Sequence, residues 1–199
     1  MFQQVLTACV LVIGIIVFGM MIFFPRLSYV IKDKKLCRYI QYIFFVIYII
    51  GNLFFTLLSR NVMPASVAEL ELFSAYRDAF ALDYGVFGTL KQIVSEGFLK
   101  GMSGVHLITT EPLEGVVLNI FLYIPMGYLL PSVWPELRKG RFMWRVLFIG
   151  FFASLMTETI QLIFRLGWFD LDDLLNNTLG TIFGMWSCIK IQRKIKGDI

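Results

Sequence analysis

Polar side chains recur at helical spacing inside an apolar stretch that ends near residue 165. Ser154, Glu158, Gln161 and Arg165 fall at positions i, i+4, i+7 and i+11, which places them in one stripe along a helix. A carboxyl group held among apolar side chains can transfer protons, so Glu158 is a candidate general acid or base, with Gln161 binding a ligand or orienting it. The alternative is a structural ion pair between Glu158 and an arginine, because an unpaired charge is costly in lipid.

An acidic segment follows this stripe and leads into another apolar stretch. It contains Asp170, Asp172 and Asp173. One of these aspartates is expected to cap the next helix, where a carboxylate meets the positive end of the helix dipole. The others could hold Mg²⁺ or Ca²⁺ through their oxygens, but no histidine or ligand spacing indicates a metal. We therefore assign no metal ligand, and the cofactor is unknown, with a divalent cation as the alternative.

The composition is typical of an integral membrane protein. Apolar residues make up 58% of the 199 residues, charged residues make up 16%, and the mean hydropathy is +0.74. The net charge of +4 has no basic helix or aromatic platform beside it, which argues against a nucleic-acid partner. The cysteines lack metal or redox spacing and are predicted to be small buried hydrophobes; they are Cys9, Cys37 and Cys188.

Five apolar runs are long enough, or nearly so, to cross a bilayer core of about 30 Å. They cover residues 3–24, 39–58, 114–133, 146–164 and 174–190. The first run is expected to remain as a helix, because no basic segment precedes it and no small-residue cleavage site follows it. The predicted fold is an all-α, polytopic membrane helical bundle of about five transmembrane helices, formed as a single membrane domain over residues 1–199.

The charge pattern predicts the orientation of this bundle. Most of the 18 lysines and arginines lie in residues 25–38, in residues 134–145 and in the C-terminal tail. By the positive-inside rule, the N-terminus is outside, the C-terminus is cytoplasmic and the loop of residues 59–113 faces outward. Within that loop, apolar residues recur at helical spacing over 70–80 and 87–98, which predicts two short amphipathic helices on the membrane surface or over the bundle.

The orientation puts the intramembrane polar groups at one depth. Glu158 and Asn119 lie in the outer half of their spans, and Asn176 lies one turn inside the last span, followed by Gly180 and Gly184 at helical spacing. The asparagines could instead bridge helices, and the glycines could serve close packing alone. We predict a polar cavity that opens toward the outer leaflet and is lined by Asn119, Glu158, Gln161, Arg165, Asp170, Asp173 and Asn176.

Three ordered motifs lie between residues 114 and 184. They are Asn119-Ile120-Phe121-Leu122-Tyr123-Ile124-Pro125-Met126-Gly127, Glu158-Thr159-Ile160-Gln161, and Phe169-Asp170-Leu171-Asp172-Asp173-Leu174-Leu175-Asn176-Asn177-Thr178-Leu179-Gly180. They look like the N-x-x-x-F-x-P-x-G, E-x-x-Q and F-D-x-D-D-x-x-x-N-T-x-G patterns of the VanZ-like family. The chain therefore resembles that family over about residues 39–190.

This resemblance implies a role in the bacterial cell envelope, because the family is named for a protein that confers low-level resistance to teicoplanin. It brings no agreed substrate or reaction. Ser59-Arg60 and Phe73-Ser74-Ala75-Tyr76-Arg77 look like the family's outer-loop segments, which adds two arginines to the candidates. The catalytic candidates are Glu158, Asp170 and Arg165, and the ligand-binding candidates are Asn119, Gln161, Asp172, Asp173, Asn176, Arg60 and Arg77.

Two functions fit these residues. In the first, a multi-pass protein of the bacterial cell membrane lowers teicoplanin susceptibility by binding or altering an envelope lipid or a peptidoglycan precursor, whose phosphate meets the arginines. In the second, a membrane-embedded enzyme acts on a lipid-linked phosphate substrate with Glu158 as acid or base. A carrier is disfavoured, because no inverted repeat or cytoplasmic polar cluster is visible.

Overall fold

A computed structural model describes residues 31, 33–82, 85–98, 105–107, 111–138 and 141–197, together with residues 19, 102 and 109. Apart from Gly19, the predicted span at residues 3–24 lies outside the described residues. The described chain is mostly helical. Its helices are α1 (Lys34–Leu53), α2 (Ser74–Ala79), α3 (Gly85–Glu96), α4 (Glu111–Val133), α5 (Phe142–Phe164) and α6 (Leu171–Gly197).

Three helical segments, among those described, are long and apolar enough to cross a membrane. They are Lys34–Leu58, Pro112–Val133 and Phe142–Phe164. They coincide with the spans predicted at 39–58, 114–133 and 146–164, because long apolar runs without charge favour helices of this length. The span predicted at 174–190 lies inside α6. The loop predicted to be amphipathic contains α2 and α3.

Local hydrogen bonds define the start of α1 and the end of α5. Asp33 caps α1, since its Oδ1 accepts hydrogen bonds from the backbone N–H groups of Lys35 at 2.8 Å and Leu36 at 3.4 Å. Arg165 ends α5 in the left-handed conformation, with φ of 57°, and the next N–H, from Leu166, returns to the Gln161 carbonyl at 2.8 Å. The chain therefore leaves the bundle abruptly after α5.

A wide helical turn continues α1. Residues Phe54–Leu58 form a π-helical turn, closed by a bond of 2.9 Å from the N–H of Ser59 to the carbonyl of Phe54. Such turns insert an extra residue into a helix and shift the side chains that follow it. The turn directs the chain toward Arg60 and the start of the loop of residues 59–113, which we call the outer loop after its predicted orientation.

Four short strands differ from the all-helical prediction. β1 (Ala68–Glu69) pairs in parallel with β4 (Phe169–Asp170), with Ala68 opposite Phe169 and Glu69 opposite Asp170. β2 (Phe80–Leu82) pairs antiparallel with β3 (Val105–Leu107). Strands this short leave no alternating pattern in the sequence, because their pairing depends on residues that are distant along the chain. The first pair joins the outer loop to the turn between α5 and α6.

Helices α4 and α6 are in backbone contact at the centre of the bundle. A Cβ atom placed on Gly180 would lie 2.2 Å from the carbonyl oxygen of Ile120, and one on Gly184 would lie 1.9 Å from that of Ile124. These are the two glycines predicted to form a small-residue face. Because no side chain separates the helices there, α6 is held at a fixed distance from α4.

Candidate functional site

An open cleft of about 440 Å³ lies between the start of the outer loop and the turn that joins α5 to α6. We use "the cleft" for this space. Its lining comes from both segments and from the first turn of α6: Arg60, Asn61, Met63, Leu166, Gly167, Trp168, Asp170 and Asp173. Three of the residues predicted for the site therefore line the same space: Arg60, Asp170 and Asp173.

Glu158 lies beneath this cleft. Its side chain is buried, with the residue 2% exposed, and its Oε2 accepts a hydrogen bond of 3.2 Å from the backbone N–H of Asp170. It is also within electrostatic range of Asp173 and Arg60. Between described residues, Arg77 forms salt bridges with Glu71 and Asp78, and Glu158 forms none. This hydrogen bond with Asp170 therefore connects the polar side chains of α5 to a residue that lines the cleft.

Asp170 caps α6 while it lines the cleft. It immediately precedes the helix, and its Oδ1 accepts the N–H of Asp172 at 2.8 Å, as expected for one of the three aspartates. Burial raises the pKa of Asp170, because a desolvated carboxylate is disfavoured, and the N–H of Asp172 opposes this shift. One turn of helix further on, the side chain of Asp173 is hydrogen-bonded by Asn119 from α4.

Gln161 presents an acceptor without a partner. Its Nε2 donates to the carbonyl oxygen of Thr56, in the π-helical turn, at 2.9 Å, while its buried Oε1 accepts no bond from the described residues. Gln161 is not itself a lining residue, but this oxygen lies next to Gly167, which lines the cleft. A Cβ on Gly167 would lie 3.4 Å from Oε1 and 2.9 Å from Nη1 of Arg60. The absence of a side chain there lets both groups approach the cleft wall.

Asp172 has its side chain outside the cleft lining. It is 2% exposed, and its carboxylate accepts the backbone N–H groups of Phe73 at 2.5 Å and Ala75 at 3.0 Å, and the hydroxyl of Ser74 at 3.3 Å. These groups form the start of α2. Asp172 thus caps a helix of the outer loop from the first turn of α6.

Three further candidates also lie outside the cleft lining. Arg165 is exposed, and its Nη1 donates to the carbonyl of Pro64 at 3.5 Å. Arg77 is exposed and forms salt bridges with Glu71 and Asp78. Asn176 is buried within α6, and its Nδ2 donates to no described acceptor. The structure therefore brings Arg60, and not the other two arginines, to the acidic residues.

Several lining residues have no polar pattern that would identify them in the sequence. Asn61 and Met63 follow the π-helical turn, and Gly167 and Trp168 lie in the connection before β4. The sequence does indicate residues 166–168 indirectly. The connection between α5 and β4 is short, so these residues must lie close to Asp170. In the described residues, no group of three or more His, Cys, Asp or Glu side chains is arranged to hold a metal ion.

A mostly helical fold with three candidate membrane spans and a polar cleft at one end of α5 is compatible with an integral membrane protein. The chain belongs to the VanZ/LLP1 family, whose model matches residues 43–192. That range includes α4, α5, the cleft and most of α6. Comparison with curated proteins gives no match, and comparison with solved structures gives none either.

Proposed function

We propose that this VanZ/LLP1 protein lies in the bacterial cell membrane with its cleft at the outer leaflet, where it binds or alters an envelope lipid or a wall precursor and thereby lowers susceptibility to teicoplanin. The observation that carries the proposal is the cleft itself, which Arg60, Asp170 and Asp173 line together and whose Asp170 backbone is bonded to buried Glu158. Family membership supports the class of protein, and the cleft supports the binding role.

The chemistry of the lining supports a polar headgroup as the ligand. Arg60 offers a planar guanidinium that can bind two phosphate oxygens at once. Asp170 and Asp173 offer acceptors for hydroxyl or amino groups. Leu166 and Met63 give the same cleft an apolar edge, which suits a ligand that is partly lipid.

The positions of the basic residues in the structure agree with the orientation that the charge pattern predicts. Arg60 and the turn at 165–170 lie where α1 and α5 end and α6 begins, whereas Lys34, Lys35, Arg141 and Lys190 lie toward the opposite ends of those helices. Cytoplasmic segments carry the excess of lysine and arginine in membrane proteins. This distribution supports an outer-face cleft and a cytoplasmic C-terminus, and with the span predicted at 3–24 it supports an N-terminus outside.

The second candidate is a membrane-embedded enzyme that acts on a lipid-linked phosphate. It is favoured by the burial of Glu158 without a salt bridge among the described residues, since a carboxyl group that is not committed to an arginine can exchange a proton. Arg60 would stabilise negative charge that develops on the substrate. A reaction of this kind would change the lipids of the membrane, whereas binding alone would not.

The test compares Glu158→Gln and Asp170→Asn with the parent chain in one bacterial strain, measuring teicoplanin susceptibility, membrane-lipid composition and the amount of protein in the membrane. Glu136→Gln, at an exposed carboxylate between α4 and α5, is the matched control. Increased susceptibility in both site variants with unchanged lipids supports binding, and an accumulated precursor supports the enzyme. Unchanged susceptibility and lipids, at normal protein levels, would contradict both functions.

A further inference from the structure

The cleft carries more acidic than basic side chains. Asp170 and Asp173 line it, Glu158 lies beneath it, and Arg60 is the cationic side chain among its described lining residues. A ligand with phosphate as its only charged group would meet one guanidinium, and its negative charge would further disfavour ionisation of the two aspartates, whose pKa burial already raises. A ligand that also carries positive charge would be attracted by both kinds of group.

Gln161 adds a requirement for a hydrogen-bond donor. The residue is 2% exposed, and its Oε1 has no partner among the described residues, although its Nε2 is fixed by the carbonyl of Thr56. Leaving a buried acceptor unpaired costs about 1–3 kcal/mol. This oxygen lies behind Gly167, a lining residue without a side chain, so a ligand donor that reaches past Gly167 would satisfy it.

Trp168 favours a compact cation at the same place. Half of this residue is exposed, at 50%, although it is part of the cleft lining. An ammonium group held over an indole ring is stabilised by the ring quadrupole. The side chain can therefore cover a cation that also contacts the carboxylates, and shield it from water.

We infer that the cleft binds a zwitterionic headgroup in which a primary ammonium lies beside a phosphate, as in an aminophospholipid. The ammonium meets Asp170, Asp173 and Gln161, while the phosphate meets Arg60. This inference rests on the proposed function and names the class of lipid at that site. A quaternary ammonium has the same charge but no N–H, so it cannot satisfy Gln161.

The experiment uses the full chain purified in detergent and measures retained lipid by native mass spectrometry. Three lipids with identical acyl chains compete: phosphatidylethanolamine, phosphatidylcholine with the same charge but no N–H, and phosphatidylglycerol with phosphate but no ammonium. We expect phosphatidylethanolamine to be retained about tenfold better, equivalent to about 1.4 kcal/mol. Free phosphoethanolamine, added as a competitor, distinguishes recognition of the headgroup alone from recognition of the whole lipid.

Variants assign the preference to the cleft. Asp173→Asn should reduce the advantage of phosphatidylethanolamine over phosphatidylglycerol, Arg60→Gln should weaken all three lipids, and Glu114→Gln, at an exposed carboxylate on α4, should change nothing. Thermal unfolding of each variant verifies that it is folded.

Preference for phosphatidylglycerol that depends on Arg60 would overturn the ammonium inference and leave the proposed phosphate-binding function standing. Equal retention of all lipids, unaffected by any variant, would overturn the inference, while the susceptibility assay separately decides the proposed function.

Discussion

Glu158 and Asp170 are joined by one hydrogen bond that links a buried carboxyl group to the backbone of a cleft residue. The acceptor is a side-chain oxygen and the donor is a backbone N–H, so a glutamine at 158 can preserve the bond while it removes the acid. An apolar replacement would instead leave the N–H of Asp170 without its partner, at a cost of about 1–3 kcal/mol. Glu158→Gln is therefore the substitution that separates chemistry from structure.

Gly167→Ala tests whether the close approach of Arg60 and Gln161 is needed for binding. The added methyl group would lie 2.9 Å from Nη1 of Arg60, and this flexible side chain should move away from the cleft wall. We expect stability to change by less than about 0.5 kcal/mol and retention of phosphatidylethanolamine to fall. Thermal unfolding and native mass spectrometry measure the two effects.

Gly115→Ala is the control, because a Cβ on Gly115 has nothing within 4 Å. In a helix this change should be neutral or stabilising by up to about 1 kcal/mol, with lipid retention unchanged. If Gly167→Ala retains lipid as the parent chain does, Gly167 has no role in shaping the site.

Asp170→Asn tests the effect of burial on its proton affinity. Desolvation, reinforced by neighbouring Asp172 and Glu69, raises the pKa of Asp170 in the folded chain, so the folded state binds this proton more tightly than the unfolded state does. Its contribution to stability is fully present below the unfolded pKa of about 3.9 and is lost as the pH rises through the higher folded pKa.

We therefore expect the unfolding temperature of the parent chain to fall more steeply than that of Asp170→Asn as the pH rises from about 4. The asparagine oxygen still accepts the N–H of Asp172, so the helix cap persists. Glu158 and Asp173 remain in both proteins and interact with Asp170, so the difference between the two profiles reports the titration of residue 170 together with its coupling to these two acids. Parallel profiles would show that Asp170 is not shifted.

At the scale of elements, Asp172 connects α6 to the outer loop. It accepts two backbone N–H groups and one hydroxyl from the start of α2, which is 98 residues away along the chain at Ser74. Phe73, which precedes that helix, has a φ of 66°, and the carboxylate fixes this uncommon conformation by bonding its N–H. The position of the outer loop beside the cleft thus depends on a residue of the bundle.

Asp172→Ala should release α2 while the membrane helices remain folded. The loss of a buried carboxylate that accepts three hydrogen bonds should cost about 3 kcal/mol, concentrated in the outer loop. Hydrogen exchange should accelerate at residues 73–79, with little change in α4 and α5. Asp78→Ala removes an exposed carboxylate of the same loop and should leave exchange nearly unchanged.

Gly184→Ala should weaken the contact between α4 and α6. The new Cβ would lie 1.9 Å from the carbonyl oxygen of Ile124 and 2.8 Å from the N of Tyr128, and backbone atoms cannot rotate away. We expect a loss of about 3 kcal/mol or the separation of the helices, seen as a lower unfolding temperature in detergent. Gly51→Ala, on α1 with no neighbour within 4 Å, should not lower it, and an equal loss in both would contradict a specific contact.

The sequence predicted the elements better than their connections. The helices at 39–58, 114–133 and 146–164 could be predicted directly, because a membrane span must be apolar along its full length. The π-helical turn and the strand pair of β1 and β4 have no local signature: the Thr56 carbonyl of the turn accepts a bond from distant Gln161, and β1 pairs with a strand about 100 residues further on. This explains why the meeting of Arg60 with Asp170 could be expected from a family pattern but not from spacing.

At the scale of the whole molecule, the unequal distribution of charge predicts which face of the membrane the cleft occupies. Basic residues flank the start of α1 and α5, while both helices end beside the cleft. A cleft at the outer face can meet envelope lipids and extracellular antibiotics, whereas a cytoplasmic cleft could not meet the latter. The proposed function therefore depends on the orientation.

Cysteine labelling of intact cells tests this orientation. In a chain with Cys9, Cys37 and Cys188 replaced by serine, Ala65→Cys should react with a membrane-impermeant maleimide, because residue 65 is exposed beside the cleft. Glu136→Cys, between α4 and α5, should react only after the cells are permeabilised. The reverse pattern would put the cleft in the cytoplasm and end the outer-leaflet proposal.

The π-helical turn at Phe54–Leu58 also determines the direction around the helix axis in which the following side chains project. Each residue of a regular helix advances the chain by about 100° around the axis, so one residue more or fewer swings the next side chains by that angle. Deleting a single residue from this turn would rotate the guanidinium of Arg60 toward a different side of the helix and withdraw the Thr56 carbonyl from Gln161. We therefore expect insertions and deletions to be tolerated in the outer loop far better than in these five residues.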